Sequence, residues 1–150
     1  MSDKQHVINV AIVSPFQAFT QQAKRLIGMI PDVQVVIYEA ALEASLHIVN
    51  TFSEQHIDVV VSRGATAEYL KTCTSLPVVS CDTTFYDLAK TCARARKYGN
   101  KIAAILLGSR HLDIPFLCEM LNIEVMYAPN YANSGEIKLN LRTAVEQGCK

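Results

Sequence analysis

The segment Val59–Leu70, with the sequence VVVSRGATAEYL, contains the pattern best suited to binding an anion. An apolar run typical of a buried strand ends there, an arginine follows, and a glycine then opens a helical stretch. Backbone N–H groups at a helix N-terminus are unpaired donors with partial positive charge, and a glycine lets an anion approach them closely. Arg63 adds a forked donor suited to a carboxylate or phosphate, and Thr66 adds a hydroxyl. The pattern predicts a small-anion site made of Ser62, Arg63, Gly64, Ala65 and Thr66.

Polar residues that follow other predicted strands could line the same crevice, because ligands of an open parallel sheet bind beyond the carboxyl ends of its strands. Hydroxyls, one carboxylate and one glycine follow the first, fourth and fifth predicted strands. These further candidates are Ser14, Ser80, Asp82, Thr83, Gly108 and Ser109. Each candidate also has a purely structural explanation. Serine, threonine and aspartate commonly cap helices, Gly64 could simply make a turn, and Arg63 could be a solvated charge at the rim.

The sequence lacks the common cofactor motifs. No GxxxxGK[ST] motif occurs, and no GxGxxG motif follows the first predicted strand, which disfavours P-loop and Rossmann-type nucleotide sites. The four histidines and five cysteines show no zinc-ligand spacing. We therefore expect no cofactor and no metal, and we expect the cysteines to be buried, reduced thiols.

One enzyme alternative rests on Cys81, which stands right after a predicted strand in the run Cys-Asp-Thr-Thr. This run is similar to the Cys-Asn-Thr motif of two-lobed aspartate/glutamate racemases, which use one cysteine from each lobe as acid and base. The second motif of that family, Gly-Cys-Thr, has no good counterpart. Gly148 and Cys149 are followed by lysine and stand before an expected strand rather than after one. A flavin- or nucleotide-binding domain of the flavodoxin type is a third alternative.

Six short apolar runs are predicted as the strands that position these residues. They are continuous and rich in β-branched residues, which is typical of strands buried on both faces of a parallel sheet. Because helical stretches separate them, the chain is expected to have an α/β fold with right-handed crossovers. The predicted strands are Val7–Val13, Val33–Tyr38, Ile57–Ser62, Leu76–Ser80, Lys101–Leu107 and Ile123–Tyr127.

Capping residues and apolar stripes predict the helices between these strands. Ser14 is predicted to cap the first helix, with Pro15 at its first position. Asp82 is predicted to cap the fourth helix, and Asp113 is predicted to start the fifth. The segment Glu136–Gln147 is predicted as a sixth helix with one apolar face, formed by Ile137, Leu141 and Val145.

Composition excludes several classes of protein. Of the 150 residues, 50% are hydrophobic and 19% are charged, which excludes intrinsic disorder. The 14 basic residues balance the 14 acidic ones, so the chain lacks the basic excess of a nucleic-acid-binding domain. The longest apolar run, Ile102–Leu107, is too short to span a bilayer. The N-terminus lacks the features of a signal peptide, so we expect a cytoplasmic protein without membrane contact.

Four segments together resemble the N-terminal receptor domain of the propionate-catabolism activators, which are bacterial sigma-54-dependent transcription regulators. They are the SRGATA turn, the LPVV strand, the Tyr-Asp pair of the fourth helix and the KIAAI strand, at residues 62–67, 76–79, 86–87 and 101–105. The resemblance extends from about Val7 to Leu107, and more loosely to Lys150. The chain departs from the family's pattern at Ala65, where a second glycine is usual. It departs again where Ser80 and Cys81 replace an acidic residue.

The resemblance implies a chelatase-like, three-layer α/β/α fold with two similar lobes, each holding a parallel sheet of order 2-1-3-4. Residues 1–82 would form the first lobe, and residues 83–150 would begin a second lobe whose last strands are missing. The resemblance further implies a non-enzymatic sensor that binds a small anionic metabolite, of the 2-methylcitrate-like tricarboxylate class in the propionate branch. ATPase and DNA-binding modules would then lie outside this chain, and the assembly could be a homo-oligomer.

Overall fold

A computed structural model describes residues 7–106, 112–128 and 134–149 of the chain. Contacts divide the chain into two compact units, Met1–Cys81 and Asp82–Lys150, and each unit has its own hydrophobic core. In the described ranges, no helix is both long and apolar enough to cross a membrane.

The first unit is a four-stranded parallel sheet with the strand order β2-β1-β3-β4. Strands and helices alternate along the chain, and the connection from β2 to β3 contains a short 3-10 turn at Leu42–Ser45 before its helix. The predicted α/β fold and the strand order 2-1-3-4 are therefore confirmed. The elements are β1 (Ile8–Ser14), α1 (Gln17–Ile27), β2 (Val33–Glu39), α2 (Leu46–Val49), β3 (Val59–Arg63), α3 (Gly64–Cys73) and β4 (Val78–Cys81).

The two faces of this sheet are buried to different extents. On the face covered by α2 and α3, Ala11, Val13 and Val60 are fully buried and pack against Phe52 and Leu70. On the opposite face, where α1 packs on β1 and β2, Val10 and Ile12 of β1 and Val61 of β3 are only half-buried. The sequence predicted strands buried on both faces of a parallel sheet. The sheet is parallel and helices lie on both faces, but the α1 face is covered less completely than the other. The apolar runs of the strands do not show how completely each face is covered.

The second unit contains a smaller parallel sheet of two strands, β5 and β6. Its core is formed by α4, β5, α5 and the residue before β6, through Leu88, Cys92, Ile102, Leu117 and Ile123. The elements are α4 (Phe85–Ala95), β5 (Lys101–Ile105), α5 (Ile114–Leu121), β6 (Glu124–Ala128) and α6 (Ser134–Glu146). That this unit is the beginning of a larger lobe stays a prediction.

Two of the predicted helix caps were wrong. Helix α1 begins at Gln17 after an extended Phe16, so Ser14 does not cap it and Pro15 lies outside it. Helix α4 is capped by Thr84 rather than Asp82, because Thr84 and Asp87 form a reciprocal capping box.

Other helix predictions had mixed outcomes. Asp113 does cap α5, since its carboxylate accepts a hydrogen bond from the Phe116 backbone N–H at 3.0 Å. Helix α6 occurs as predicted, but its apolar face is not the buried one: Ala144 is buried, whereas Leu141 and Val145 are 49% and 69% exposed.

Candidate anion site at the start of helix α3

The turn between β3 and α3 brings an arginine and a left-handed glycine together at the carboxyl edge of the first sheet. Arg63 ends β3 in an extended conformation and occupies the N-cap position of α3. Gly64 follows with φ 55°, a backbone angle that side-chain-bearing residues rarely adopt. A β carbon built on Gly64 would meet no atom of the described residues within 4 Å, apart from its own chain neighbours and its helix backbone. The glycine is therefore required by its backbone angle, and the described residues leave the space above it open.

Hydrogen-bond donors lie together at the first turn of α3. Arg63 makes no side-chain cap, because a guanidinium has donors but no acceptor. The first turn of α3 contains no acidic residue that would offset the helix dipole. The guanidinium of a half-buried arginine and the first N–H groups of a 10-residue helix are thus close to each other in the chain. This arrangement can bind a carboxylate or a phosphate.

Ser62 and Thr66, two of the predicted ligand-binding residues, use their hydroxyls inside the protein. The Ser62 Oγ donates to the carbonyl oxygen of Val13 at 2.7 Å and is completely buried. The Thr66 Oγ1 accepts from the backbone N–H of Leu42 at 3.2 Å, with Thr66 only 2% exposed. The first bond joins the end of β3 to the end of β1, and the second joins the 3-10 turn to the start of α3. The two residues therefore support the frame of the site.

Ser14 has a similar internal role at the end of β1. Its Oγ accepts from the Thr20 Oγ1 at 2.7 Å and donates to the carbonyl oxygen of Phe16 at 3.0 Å. The sequence does not reveal this hydrogen bond of Thr20, because a serine and a threonine six positions apart form no recognisable motif. Every buried side-chain nitrogen or oxygen in the described part of the chain has a hydrogen-bond partner.

The remaining predicted residues lie in different settings. Ala65 is half-buried in the first turn of α3, and Ser80 pairs with Ser62 in the β3–β4 register. Asp82 is exposed and Thr83 half-buried at the start of the second unit. Gly108 and Ser109 lie outside the described residues.

An apolar groove of about 350 Å³ lies beside α1, on the half-buried face of the first sheet. Among the residues that the structure describes, no charged side chain lines it and Gln22 is the one amide, so this lining does not suit an anion. The groove is not evident from the sequence, because periodicity does not show where a helix leaves part of a sheet uncovered. The groove is lined by Val10, Ile12, Phe19, Gln22, Ala23, Leu26, Ile27, Ile30, Val33, Val35, Val61 and Cys81.

The fold of the chain is that of a bacterial transcriptional regulator of known structure. The crystal structure of an NtrC family transcriptional regulator from Clostridium acetobutylicum superposes with a TM-score of 0.82. The match covers 95% of this chain and 75% of that chain at 21% sequence identity, which establishes a common fold. No curated protein matches the chain.

The profile of the propionate catabolism activator family matches residues 30–150. The chain belongs to this family, as the four sequence segments predicted, and its role therefore lies in transcription regulation through a sigma-54-dependent activator.

The racemase alternative gains no support. Cys81 lines the apolar groove of the first unit. Cys149 is buried in the second unit, where its thiol contacts the Met126 sulfur at 3.5 Å.

Proposed function

We propose that this chain is a sensing domain that binds a small carboxylate metabolite and thereby regulates a sigma-54-dependent transcriptional activator. One observation carries the proposal: Arg63 and the left-handed Gly64 open α3 at the carboxyl edge of a parallel sheet, with open space above the glycine. Ligands of open α/β sheets bind at this edge.

The chemistry of the α3 start favours a carboxylate ligand. A guanidinium and a row of backbone N–H groups are donors, and hydrogen bonds from them to an ionised acceptor are stronger than neutral ones. Di- and tricarboxylates offer several such acceptors. Ala65 stands where the family usually has a glycine, and its methyl group narrows the approach to the backbone. The ligand would therefore contact Arg63 and Gly64 first.

ATP hydrolysis and DNA binding are proposed to reside in other modules of the activator. The chain has equal numbers of acidic and basic residues and so lacks the basic excess that DNA-binding domains use. In this proposal, ligand binding changes the interaction between the sensing domain and those modules. The chain itself would turn over no substrate.

A thermal-shift screen with di- and tricarboxylates tests the proposal. A ligand at about 100 times its dissociation constant adds roughly 2.7 kcal/mol of stability, which raises the melting temperature measurably. We expect citrate or a related acid to raise the melting temperature of the wild type but not of Arg63→Ala. Arg25→Ala, which removes an exposed arginine from the last turn of α1, is the matched control and should respond like the wild type. The proposal would be contradicted if no carboxylate raised the melting temperature of the wild type. It would also be contradicted if Arg63→Ala showed the same rise in melting temperature as Arg25→Ala.

A further inference from the structure

Strand β2 forms an outer edge of the first sheet. In the order β2-β1-β3-β4 it has β1 on one side, and among the described residues no strand pairs with its other side. The order 2-1-3-4, which the family resemblance implies for a whole lobe, has β2 at the edge as well. An edge strand presents unpaired N–H and C=O groups that can pair with another chain. The first unit therefore has a backbone edge that a further strand can extend.

This edge lacks the features that usually prevent two edge strands from pairing. Natural edges are protected by proline, by charged side chains, by bulges or by a short strand. Strand β2 is seven residues long, pairs residue for residue with β1, and contains no proline and no charge before Glu39. Val36, at its middle, is 45% exposed although it is apolar. The strand is therefore suited to pairing with another strand.

Two hydrogen bonds at the ends of the β1–β2 ladder determine which backbone groups of β2 point outward. The Ile8 N–H donates to the carbonyl oxygen of Asp32 at 3.4 Å, and the Ala40 N–H donates to that of Ser14 at 3.0 Å. In a parallel pair, alternate residues direct both backbone groups to the same neighbour. The even-numbered residues of β2 therefore bond to β1, and the odd-numbered ones direct their N–H and C=O groups to the open edge. These outward residues are Val33, Val35, Ile37 and Glu39.

We propose that this edge of β2 pairs antiparallel with β2 of a second copy of the chain, giving a continuous sheet of order β4-β3-β1-β2-β2-β1-β3-β4. A two-fold axis at Val36 makes the contact self-complementary. In this register every outward residue of β2 lies opposite an outward residue of the second copy. Val35 then faces Ile37, and Val33 faces Glu39. A register shifted by two residues would leave part of each strand unpaired.

The side chains along β2 fit this register. Val36 meets its own copy at the axis, in a non-hydrogen-bonded pair, where opposite side chains are closest. Pairs of β-branched side chains across two strands stabilise an antiparallel sheet, and this pair removes the exposed apolar surface of Val36 from water. Glu39, the charged residue of β2, faces the apolar Val33. No two like charges therefore lie opposite each other in the strand pair.

Charge complementarity also favours a second copy as the partner. Val33 and Val35 line the groove beside α1, so the odd-numbered side chains of β2, Glu39 included, lie on the α1 face of the sheet. Helix α1 packs on β1 and β2 and ends shortly before β2 begins, so its last turn lies near the start of β2. Lys24 in that turn lies two positions before Leu26, which lines the groove, and so projects from the opposite side of the helix. Glu39 of the second copy, opposite Val33, would lie near this ammonium group.

Light scattering after size-exclusion chromatography, over a dilution series, tests this pairing with two variants of one residue. Val36→Lys would place two ammonium groups against each other at the axis, whereas the control Val36→Thr keeps an uncharged β-branched side chain. Both variants should fold, because Val36 is partly exposed at the sheet edge. The contact surface is small, so we expect a dimer that dissociates on dilution for the wild type and for Val36→Thr. We expect a monomer for Val36→Lys.

Amide hydrogen exchange provides a second measurement that does not depend on a variant folding. In the dimer, the amides of Val35 and Ile37 should be protected, and this protection should fall on dilution, while Val36 and Tyr38 stay protected through their bonds to β1. A monomer at every concentration would overturn the proposal, as would a dimer that persists in folded Val36→Lys. Protection of Val35 in a monomer would also overturn it, because another segment of the same chain would then cover the edge.

Discussion

At the scale of single residues, the candidate site separates into groups that face open space and groups that hold the frame. Gly64 belongs to the first set, the buried hydroxyls of Ser62 and Thr66 belong to the second, and the half-buried Arg63 occupies the N-cap position of α3. The sequence predicted all four as ligand-binding residues, because residue type and spacing show which groups stand near a strand end. They do not show which hydroxyls are already used in internal hydrogen bonds.

The backbone angle of Gly64 leads to a stability prediction. Gly64→Ala should destabilise the protein by roughly 1–2 kcal/mol, because a side chain is unfavourable in the left-handed region. Gly28→Ala is the matched control, since Gly28 has an ordinary φ of −67° and equally open space. Urea unfolding midpoints measure both. Equal midpoints for the two variants would contradict the strained-angle explanation.

The thiol of Cys92 should be the less reactive of two neighbouring cysteines. Burial raises the pKa of Cys92 above its ordinary value, and the nearby Cys118 raises it further. The thiolate is the reactive form, so Cys92 should be alkylated by iodoacetamide more slowly than the half-buried Cys118. Peptide mass spectrometry over time measures the two rates, and a faster reaction at Cys92 would contradict this prediction.

The raised pKa of Cys92 also gives a pH dependence with a definite sign. The pKa of the Cys92 thiol is higher in the folded protein than in the unfolded protein. The contribution of this thiol to the free energy of unfolding is therefore fully present at pH values below the unfolded-state pKa. That contribution is lost as the pH rises through the folded-state pKa. Cys92→Ala should therefore show a smaller loss of stability than the wild type in alkaline solution, measured by urea unfolding as a function of pH. An identical alkaline loss in both proteins would contradict the assignment.

At the scale of elements, local sequence patterns were reliable for the existence of strands and helices and less so for their ends. All six predicted strands occur, and each differs from its predicted bounds by one or two residues at one or both ends. The caps were harder to predict because several suitable residues stand side by side. Asp82, Thr83 and Thr84 can all cap a helix, and the reciprocal bond between Thr84 and Asp87 decides among them.

The capping box of α4 can be tested directly. Thr84→Ala should cost about 1 kcal/mol of stability, because an N-terminal backbone N–H of α4 loses its acceptor. Thr83→Ala, the same substitution one position earlier, should cost less because Thr83 is not the cap. Chemical unfolding of both variants measures the difference. A larger cost for Thr83→Ala would show that the cap was assigned to the wrong residue.

At the scale of the whole molecule, the fold class followed from the alternation of strand and helix, whereas the strand order did not. Periodicity cannot order the strands of a sheet, and the order 2-1-3-4 was implied by the resemblance to the activator family. The uneven covering of the first sheet was not predicted. Val10 and Val13 belong to one apolar run of β1, yet Val13 is fully buried and Val10 lines an open groove. That difference depends on which helix packs on which face.

Binding of a carboxylate at the start of α3 can be tested by recording amide chemical shifts during a citrate titration. We expect the amide resonances of Gly64, Ala65 and Thr66 to shift most, to reach saturation at the same citrate concentration, and to stop responding in Arg63→Ala. Arg25→Ala should leave the response unchanged. Shifts that are absent at these three amides, or that persist in Arg63→Ala, would contradict the assignment of the sensing site.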